Sequence, residues 1–379
     1  PVLAKSTDLI MKSGKGCYLT TIEGERYLDF VQGIAVNALG HCHPKVVGAA
    51  QKQIGDLITA SFNLVNYEST LRLAERIASV APGDLGVTFF TNGGAEANDG
   101  AIKLAKSATH RPGIIAFKGS FHGRTIGATA ITGSSAKYRK NYEPMVPSVY
   151  FTSYPYCYRC PYGKEEASCS LECMRELYDI FENLITPDSV AAVVMEAVMG
   201  EGGYVVAPKK YIQKLREICA QNGILLIFDE IQSGYGRTGK MFASEHYGVV
   251  PDIMTLGKAI GGGLPMAAIV STKEIMDQWT VGTHGTTFGG HPVCAAAANA
   301  VLDVFESDHI LDNVNQMGSY LMSKLNELKE KYPVIGDIRG LGLMVGIELI
   351  DKDGNPNTEA KNTILKVTLE NKLLMLSCG

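Results

Sequence analysis

The chain predicts an α/β fold with a doubly wound sheet, on three observations. Strand-like and helix-like segments alternate from Val87 to Ala268, the rhythm of strand, crossover helix and parallel strand. The run Ile224 to Phe228 carries no polar residue, so it suits a strand buried on both faces. Asp229 and Glu230 follow it directly, at the strand end where open parallel sheets take their ligands. A further short segment, Asp252 to Leu256, then leads to Lys258 and the glycines Gly261, Gly262 and Gly263. An acid and a lysine are thereby set at the tips of two strands, and Asp229 reads as a ligand contact rather than a stray surface charge.

Composition narrows the function classes. At 379 residues, 46% hydrophobic and 20% charged, the chain can bury one large core and a smaller one. A net charge of -4 gives no electrostatic case for nucleic acid or an anionic membrane. No apolar run approaches a transmembrane span and no signal-peptide pattern opens the chain, so a cytoplasmic location is expected. The sequence begins at Pro1 and stops at Cys378-Gly379, and residues are expected beyond both ends.

Nine cysteines in a chain of this length fit a reducing compartment better than a disulfide scaffold. Cys17, Cys42, Cys219, Cys294 and Cys378 are scattered and expected to act as small buried hydrophobes. The other four form two close pairs, Cys157 with Cys160 and Cys169 with Cys173, in a polar insert from Tyr154 to Cys173. Such pairs are compatible with a structural zinc; free thiols on a surface excursion are the competing reading.

In chain order, residues 17–30 read as two short strands around a Glu-Gly turn. His41 and His43 flank a loop before Pro44, which suits a helix start, so they are read as loop-fixing rather than metal-binding. Helical periodicity covers His43 to Ile58 and Tyr67 to Val80, and a strand follows at Val87 to Phe90. That strand runs into Thr91-Asn92-Gly93-Gly94-Ala95-Glu96-Ala97-Asn98 and a helix to Ser107. Glycines at a strand-to-helix turn leave N–H groups free for an anion, and the helix dipole adds to the attraction. Strands are expected at Ile114 to Phe117 and Val190 to Val194, an alanine-rich helix at Pro292 to Phe305, and a helix at His309 to Lys331. Strands around Val334 to Ile350 and a helix to Lys372 complete the chain. Gly234 to Lys240 fits the nucleotide-loop spacing G-x-x-x-x-G-K, yet Met241 stands where Mg²⁺ needs Ser or Thr. Gly340-Leu341-Gly342 is a poor dinucleotide fingerprint because no helix pattern follows.

The segments Asp229-Glu230-Ile231-Gln232, Thr255-Leu256-Gly257-Lys258 with its glycine run, Gly93 to Ala97 and Gly119 to Arg124 together resemble the class III, or omega, aminotransferases. Those enzymes use pyridoxal 5'-phosphate (PLP). The resemblance implies PLP-dependent transferase fold type I: a large domain, residues 44–305, around a mostly parallel seven-stranded sheet, and a small α+β domain from both termini, residues 1–43 and 306–379. It implies that Lys258 forms the Schiff base and that Asp229 pairs with the pyridine nitrogen. A carboxylate there keeps the ring protonated, so the ring draws off the electrons released when a substrate C–H bond breaks. The lysine must be neutral to condense with an aldehyde, which burial favours.

By the same resemblance Gly94 and Ala95 contact the phosphate, Phe121 covers one ring face with His122 beside it, Ile231 packs on the other, and Gln232 reaches the ring hydroxyl. Thr287, in the segment Thr283 to Pro292, would reach the phosphate from the other subunit, which implies a homodimer with a shared active site; a self-contained loop is the alternative. Ile34 shapes the substrate pocket, and Arg124 clamps a substrate carboxylate with its planar fork. Glu201 pairs with an arginine that would lie beyond Gly379. The family pattern contains no metal, so none is expected. Ile34, Arg124 and Glu201 together resemble 4-aminobutyrate aminotransferases, which move an amino group from an omega-amino acid to a 2-oxo acid such as 2-oxoglutarate in two half-reactions. Residues 33–44 resemble acetylornithine enzymes almost as well. Amino-acid racemases and epimerases of the family carry the same ring, acid and lysine, and a non-catalytic PLP-binding protein is a further alternative.

Overall fold

Seven strands build the central sheet of the computed structural model, which describes residues 5–379. In chain order they are β1 (Val87–Thr91), β2 (Gly113–Lys118), β3 (Val149–Ser153), β4 (Val190–Glu196), β5 (Leu225–Asp229), β6 (Ile253–Leu256) and β7 (Ala267–Ser271). Their order across the sheet is β1-β7-β6-β5-β4-β2-β3. All neighbours run parallel except β7, which is antiparallel to both β6 and β1. A mostly parallel sheet must be covered on both faces, and its central strands are accordingly apolar over most of their length; β4 is buried at every position.

The period of two decides which side chain goes to which face. Leu226 and Phe228 of β5 join one core with Met195, Tyr211 and Leu215, whereas Ile227 between them joins the other with Ile253, Ile269 and Leu104. Each fully buried side chain of this size contributes about 1.5–3 kcal/mol.

The helices that position the site are α1 (Pro44–Asp56), α2 (Glu68–Val80), α3 (Gly94–Thr109), α4 (Lys209–Asn222), α5 (Pro292–Ser307) and α6 (Ile310–Lys331). α3 lies on β6 and β7, and α4 on β5. The alanines of α5 let it approach α1 and α2 closely, and most of its residues are buried. Pro44 does open α1, as its fixed φ and missing N–H suit a first helical position.

Both ends of the described chain meet in one small sheet. Met11–Lys15, Tyr18–Thr21 and Arg26–Asp29 run antiparallel, and Leu373–Leu374 adds in parallel beside Arg26–Asp29. His41 ties the loop before α1 to this sheet through Asp29, with Nε2 to Oδ2 at 2.7 Å, so its loop-fixing role holds. Ile335–Leu341 and Met344–Leu349 form a hairpin against α6, and Gly340 and Gly342 belong to it rather than to a nucleotide site.

The cysteine expectation needs correction. Cys219 and Cys294 are buried hydrophobes, but Cys17 and Cys42 are exposed and Cys378 is half-buried, because these three sit in turns and termini rather than on core faces. Among the described residues no helix is long and apolar enough to cross a membrane.

Candidate active site

The carboxyl tips of β4, β5 and β6 place Glu196, Asp229 and Thr255 side by side in register. Asp229 Oδ2 accepts from Asn98 Nδ2 at 2.8 Å and from His122 Nδ1 at 2.7 Å, and Oδ1 accepts the Ile231 amide at 3.0 Å. Thr255 Oγ1 donates to Asn98 Oδ1 at 2.9 Å, which fixes the amide so that its NH₂ faces Asp229. Burial opposes a proton on His122, but the charges of Asp229 and Glu196 outweigh it and hold its pKa above the usual value. Glu230, beside Asp229 in sequence, turns away and holds the following loop through Ser233 and the Ser244 amide.

Lys258 follows β6 in a left-handed backbone conformation, φ 49°. Its Nζ donates to Gln232 Oε1 at 2.6 Å, and Gln232 Nε2 in turn donates to the Tyr204 hydroxyl at 3.0 Å. Burial pulls the amine pKa down to about 8, against the opposing charges of Asp229 and Glu196. A neutral amine is therefore accessible near physiological pH, which is what attack on a carbonyl carbon needs.

Gly93 precedes α3, whose N-terminus carries no side-chain cap. Glu96 instead holds Asn92, accepting from its amide and its Nδ2 at 2.9 Å. The first-turn amides of α3 are thus available to an anion. Ile231 leans over this cup: a Cβ on Gly94 would stand 2.8 Å from its Cδ1, and one on Gly257 3.1 Å from its Cγ2. Ala95 packs on the other side, where a Cβ at Gly123 would come within 2.4 Å of it.

Phe121 is seated by its backbone, whose amide donates to Glu196 Oε1 at 2.8 Å, while Glu196 Oε2 accepts the Gly200 amide at 2.9 Å. Burial pushes the Glu196 carboxyl up to about 7. The Phe121 and Tyr138 rings meet edge to face at 5.4 Å, and the Arg124 guanidinium lies 5.0 Å from the Tyr138 centroid. Arg124 forms no ion pair among the described residues, which leaves its fork free for a carboxylate. The Tyr138 hydroxyl donates to Glu201, and the Gly379 amide donates to the Glu201 carbonyl at 2.6 Å.

Two expected site residues are exposed within this chain. Thr287 is exposed; Asn92 and Asn63 reach Thr286 instead, each at 2.8 Å. Ile34 is 55% exposed on a left-handed backbone, φ 63°, in a turn beside Lys258. The nucleotide-loop candidate is also accounted for: Thr238 and Gly239 pack against Gly342, and Asn315 Nδ2 donates to the Gly239 carbonyl at 2.9 Å.

Four residues went unread in the sequence. Asn98 lies one helical turn beyond Gly94, and Glu196 ends an apolar strand just as Asp229 does, so both had a local signal. Tyr138 and Arg237 had none. Arg237 donates to Gln32 Oε1 at 3.0 Å, and its charge opposes the Lys258 proton from a site that burial makes unfavourable for a cation.

An uncapped helix start, a strand-tip carboxylate held by two side chains, and a buried amine of lowered pKa form the donor set that a phosphorylated pyridine aldehyde requires. The family model Aminotransferase class-III matches residues 2–379. The chain belongs to the class III aminotransferases. This class III enzyme is 40% identical to 4-aminobutyrate aminotransferase GabT of Escherichia coli strain K12, covering 96% of this chain and 85% of the relative. It is also 40% identical to the leucine/methionine racemase of Thermococcus litoralis, covering 95% and 81%. Among solved structures it resembles the taurine:2-oxoglutarate aminotransferase from Bifidobacterium kashiwanohense, in complex with PLP and glutamate. There the TM-score is 0.94 at 28% identity, covering 100% of this chain and 88% of that one. The fold is PLP fold type I, the cofactor is pyridoxal 5'-phosphate, and the substrates are an amino donor and a keto-acid acceptor.

Proposed function

We propose that this aminotransferase takes its amino group from an omega-amino acid of the 4-aminobutyrate kind and passes it to 2-oxoglutarate. The observation that carries the reading is that Tyr138 brings a cation and an acid together: Arg124, in no ion pair among the described residues, lies over its ring, and Glu201 accepts from its hydroxyl beside Gly379. Arg124 holds the far carboxylate of the donor by two parallel hydrogen bonds. Glu201 faces the near end of the donor, which in an omega-amino acid bears no carboxylate, and it neutralises a cation there until the 2-oxo acid arrives with its α-carboxylate.

When bound, PLP supplies a protonated ring that takes up the electrons of the breaking C–H bond. The chain's own groups do the rest. Gly94 and Ala95 would hold the phosphate with first-turn amides, and Ile231, Phe121 and His122 would hold the ring in place. Asp229 keeps a proton on the ring nitrogen, its own orientation fixed by Asn98 and His122. Gln232 reaches the ring hydroxyl. Lys258 Nζ takes the proton from the donor carbon and returns it at the cofactor side, which its lowered pKa suits. Ile34 borders the donor pocket. Thr287 and the neighbouring Phe288, 56% exposed, serve a partner subunit in a homodimer.

A donor panel tests the reading: 4-aminobutyrate, 5-aminovalerate, ornithine, N-acetylornithine and α-amino acids, each with 2-oxoglutarate and scored for glutamate. The expected result is fastest glutamate formation from 4-aminobutyrate or its one-carbon homologue. Loss of optical activity from an L-amino acid without acceptor, with no glutamate formed, would replace the proposal by a racemase.

A further inference from the structure

Four thiols that play no part in the catalytic site stand around one cavity. Cys157, Cys160, Cys169 and Cys173 all line a space of about 30 Å³ in the insert, together with Tyr154 and Pro208. That is room for a single ion or water and far too small for an organic ligand. Each pair sits on a tight turn. The Cys160 amide donates to the Cys157 carbonyl at 3.2 Å, and the Gly163 amide to the Cys160 carbonyl at 3.1 Å, with Gly163 left-handed at φ 61°. On the other side the Cys169 amide donates to the Glu165 carbonyl at 3.0 Å, and Cys173 lies in the short turn Glu172–Met174.

The insert itself is poorly equipped to be ordered. Between β3 and Arg175 it has no strand and no α-helix, only the single turns Cys157–Arg159 and Glu172–Met174. Fixing such a stretch costs roughly 1–2 kcal/mol of backbone entropy per residue, and its apolar anchors lie at its two ends, Tyr154 and Tyr156 on one side and Leu171, Cys173 and Met174 on the other. Yet the insert takes part in a defined network. Tyr156 and Arg159 both bond Glu348 on the hairpin, Glu348 pairs with Arg339 at 2.8 Å, and Arg339 Nε donates to the Gly203 carbonyl at 2.9 Å. Gly203 is two residues from Glu201, so the insert braces the turn that carries this substrate-facing acid.

We propose that Cys157, Cys160, Cys169 and Cys173 bind one structural zinc ion, which fixes the insert against the hairpin and the Glu201 turn. The spacing, two residues within the first pair, eight between pairs and three within the second, offers one sulfur set from each of two turns. As the side chains stand, no three His, Cys, Asp or Glu among the described residues share a point at ligand distance. Binding therefore draws the sulfurs inward to about 2.3 Å from the ion, by movement of turns that carry no regular structure. Each thiol that ligates releases its proton, so binding is reversed by acid and by chelators.

The experiment is metal analysis of the PLP-loaded enzyme, purified under reducing conditions from zinc-supplemented medium. About one zinc per chain should survive dialysis and leave when a mercurial titrates the thiols. Cys160→Ser and Cys169→Ser should lower bound zinc at least about tenfold, whereas Cys17→Ser leaves it unchanged. If the serine variants do not fold, the wild-type protein still decides. Less than about a tenth of an equivalent of zinc, with all nine thiols free to react, overturns the proposal. So does mass spectrometry that finds the four cysteines joined as disulfides in the enzyme as isolated.

Discussion

Asp229→Asn removes one negative charge and almost no volume, so it isolates what the strand-tip carboxylate does. The wild-type side chain is 5% exposed and accepts three hydrogen bonds, from Asn98, His122 and the Ile231 amide. An asparagine keeps one acceptor oxygen, and its NH₂ then faces a donor. Asn98 cannot relieve the clash by flipping, because its NH₂ also donates at 2.7 Å to the His122 carbonyl, which can only accept. His122 loses the hydrogen bond and the charge that offset its burial, and Lys258 loses the largest charge that favours its proton. Removing one partner of a buried, hydrogen-bonded charge pair costs about 3–5 kcal/mol. At 1.36 kcal/mol per factor of ten, kcat/KM for the amino donor should fall from roughly 10²-fold to several thousand-fold. Glutamate formation gives the rate, and the visible spectrum gives cofactor content, so loss of cofactor is separated from loss of turnover. A variant with full cofactor and a rate within about threefold of wild type would refute the role given to this carboxylate.

Three further outcomes are expected from the geometry. The cofactor-free chain should take up PLP faster as pH rises through about 8, where the buried Lys258 amine becomes neutral, and level off above it; stopped-flow absorbance with no rise between pH 7 and 9 would contradict this. Gly94→Ala puts a methyl group 2.8 Å from Ile231 Cδ1, so PLP affinity should drop by about 1–3 kcal/mol, read as a roughly 5- to 100-fold higher Kd by equilibrium dialysis. Glu196 keeps its proton to about 7 in the folded chain, against a usual value of 4.5, so between these pH values the folded state binds the extra proton and stability falls as pH rises. Glu196→Gln should flatten that slope, worth on the order of 3 kcal/mol across the window, and an unchanged slope in urea midpoints from pH 5 to 7.5 would exclude Glu196 as its source.

The sheet was legible because parallel strands advertise themselves: β4 and β5 are apolar runs ended by an acid, and glycines punctuate the turns beyond their tips. Asp229 and Lys258 drew notice for the same reason, since each sits within a few residues of a strand tip, whereas Gly94 was read from its turn glycines and His122 from the family resemblance alone. Where a side chain is recruited from elsewhere, the chain gives no local cue. Tyr138 lies in a short turn, Ala136–Tyr138, and meets Glu201 only because β2 and β4 are neighbours in the sheet. Arg237 looked like part of a phosphate loop, yet its glycines serve close packing, Gly236 against Phe305 and Gly239 against Asn315, contacts between segments far apart in the chain. Thr287 is exposed within its own chain, and no contact inside the chain singles it out.

The strand order also couples the two buried carboxylates of the site. Asp229 and Glu196 end adjacent strands in register, so neither can shift without breaking ladder bonds on both sides. Glu196 reaches forward to the amides of Phe121 and Gly200, which belong to the loop after β2 and to the turn bearing Glu201. A rigid strand pair therefore fixes three things at once: the Asp229 carboxylate, the Phe121 backbone, and the turn that bears Glu201. Because Glu196 is buried and its pKa lies near neutrality, its charge is the adjustable part of this frame. Proton gain there weakens the favourable field on Lys258 and lowers the amine's pKa further. The two strand-tip carboxylates thus also bear on how readily the lysine gives up its proton.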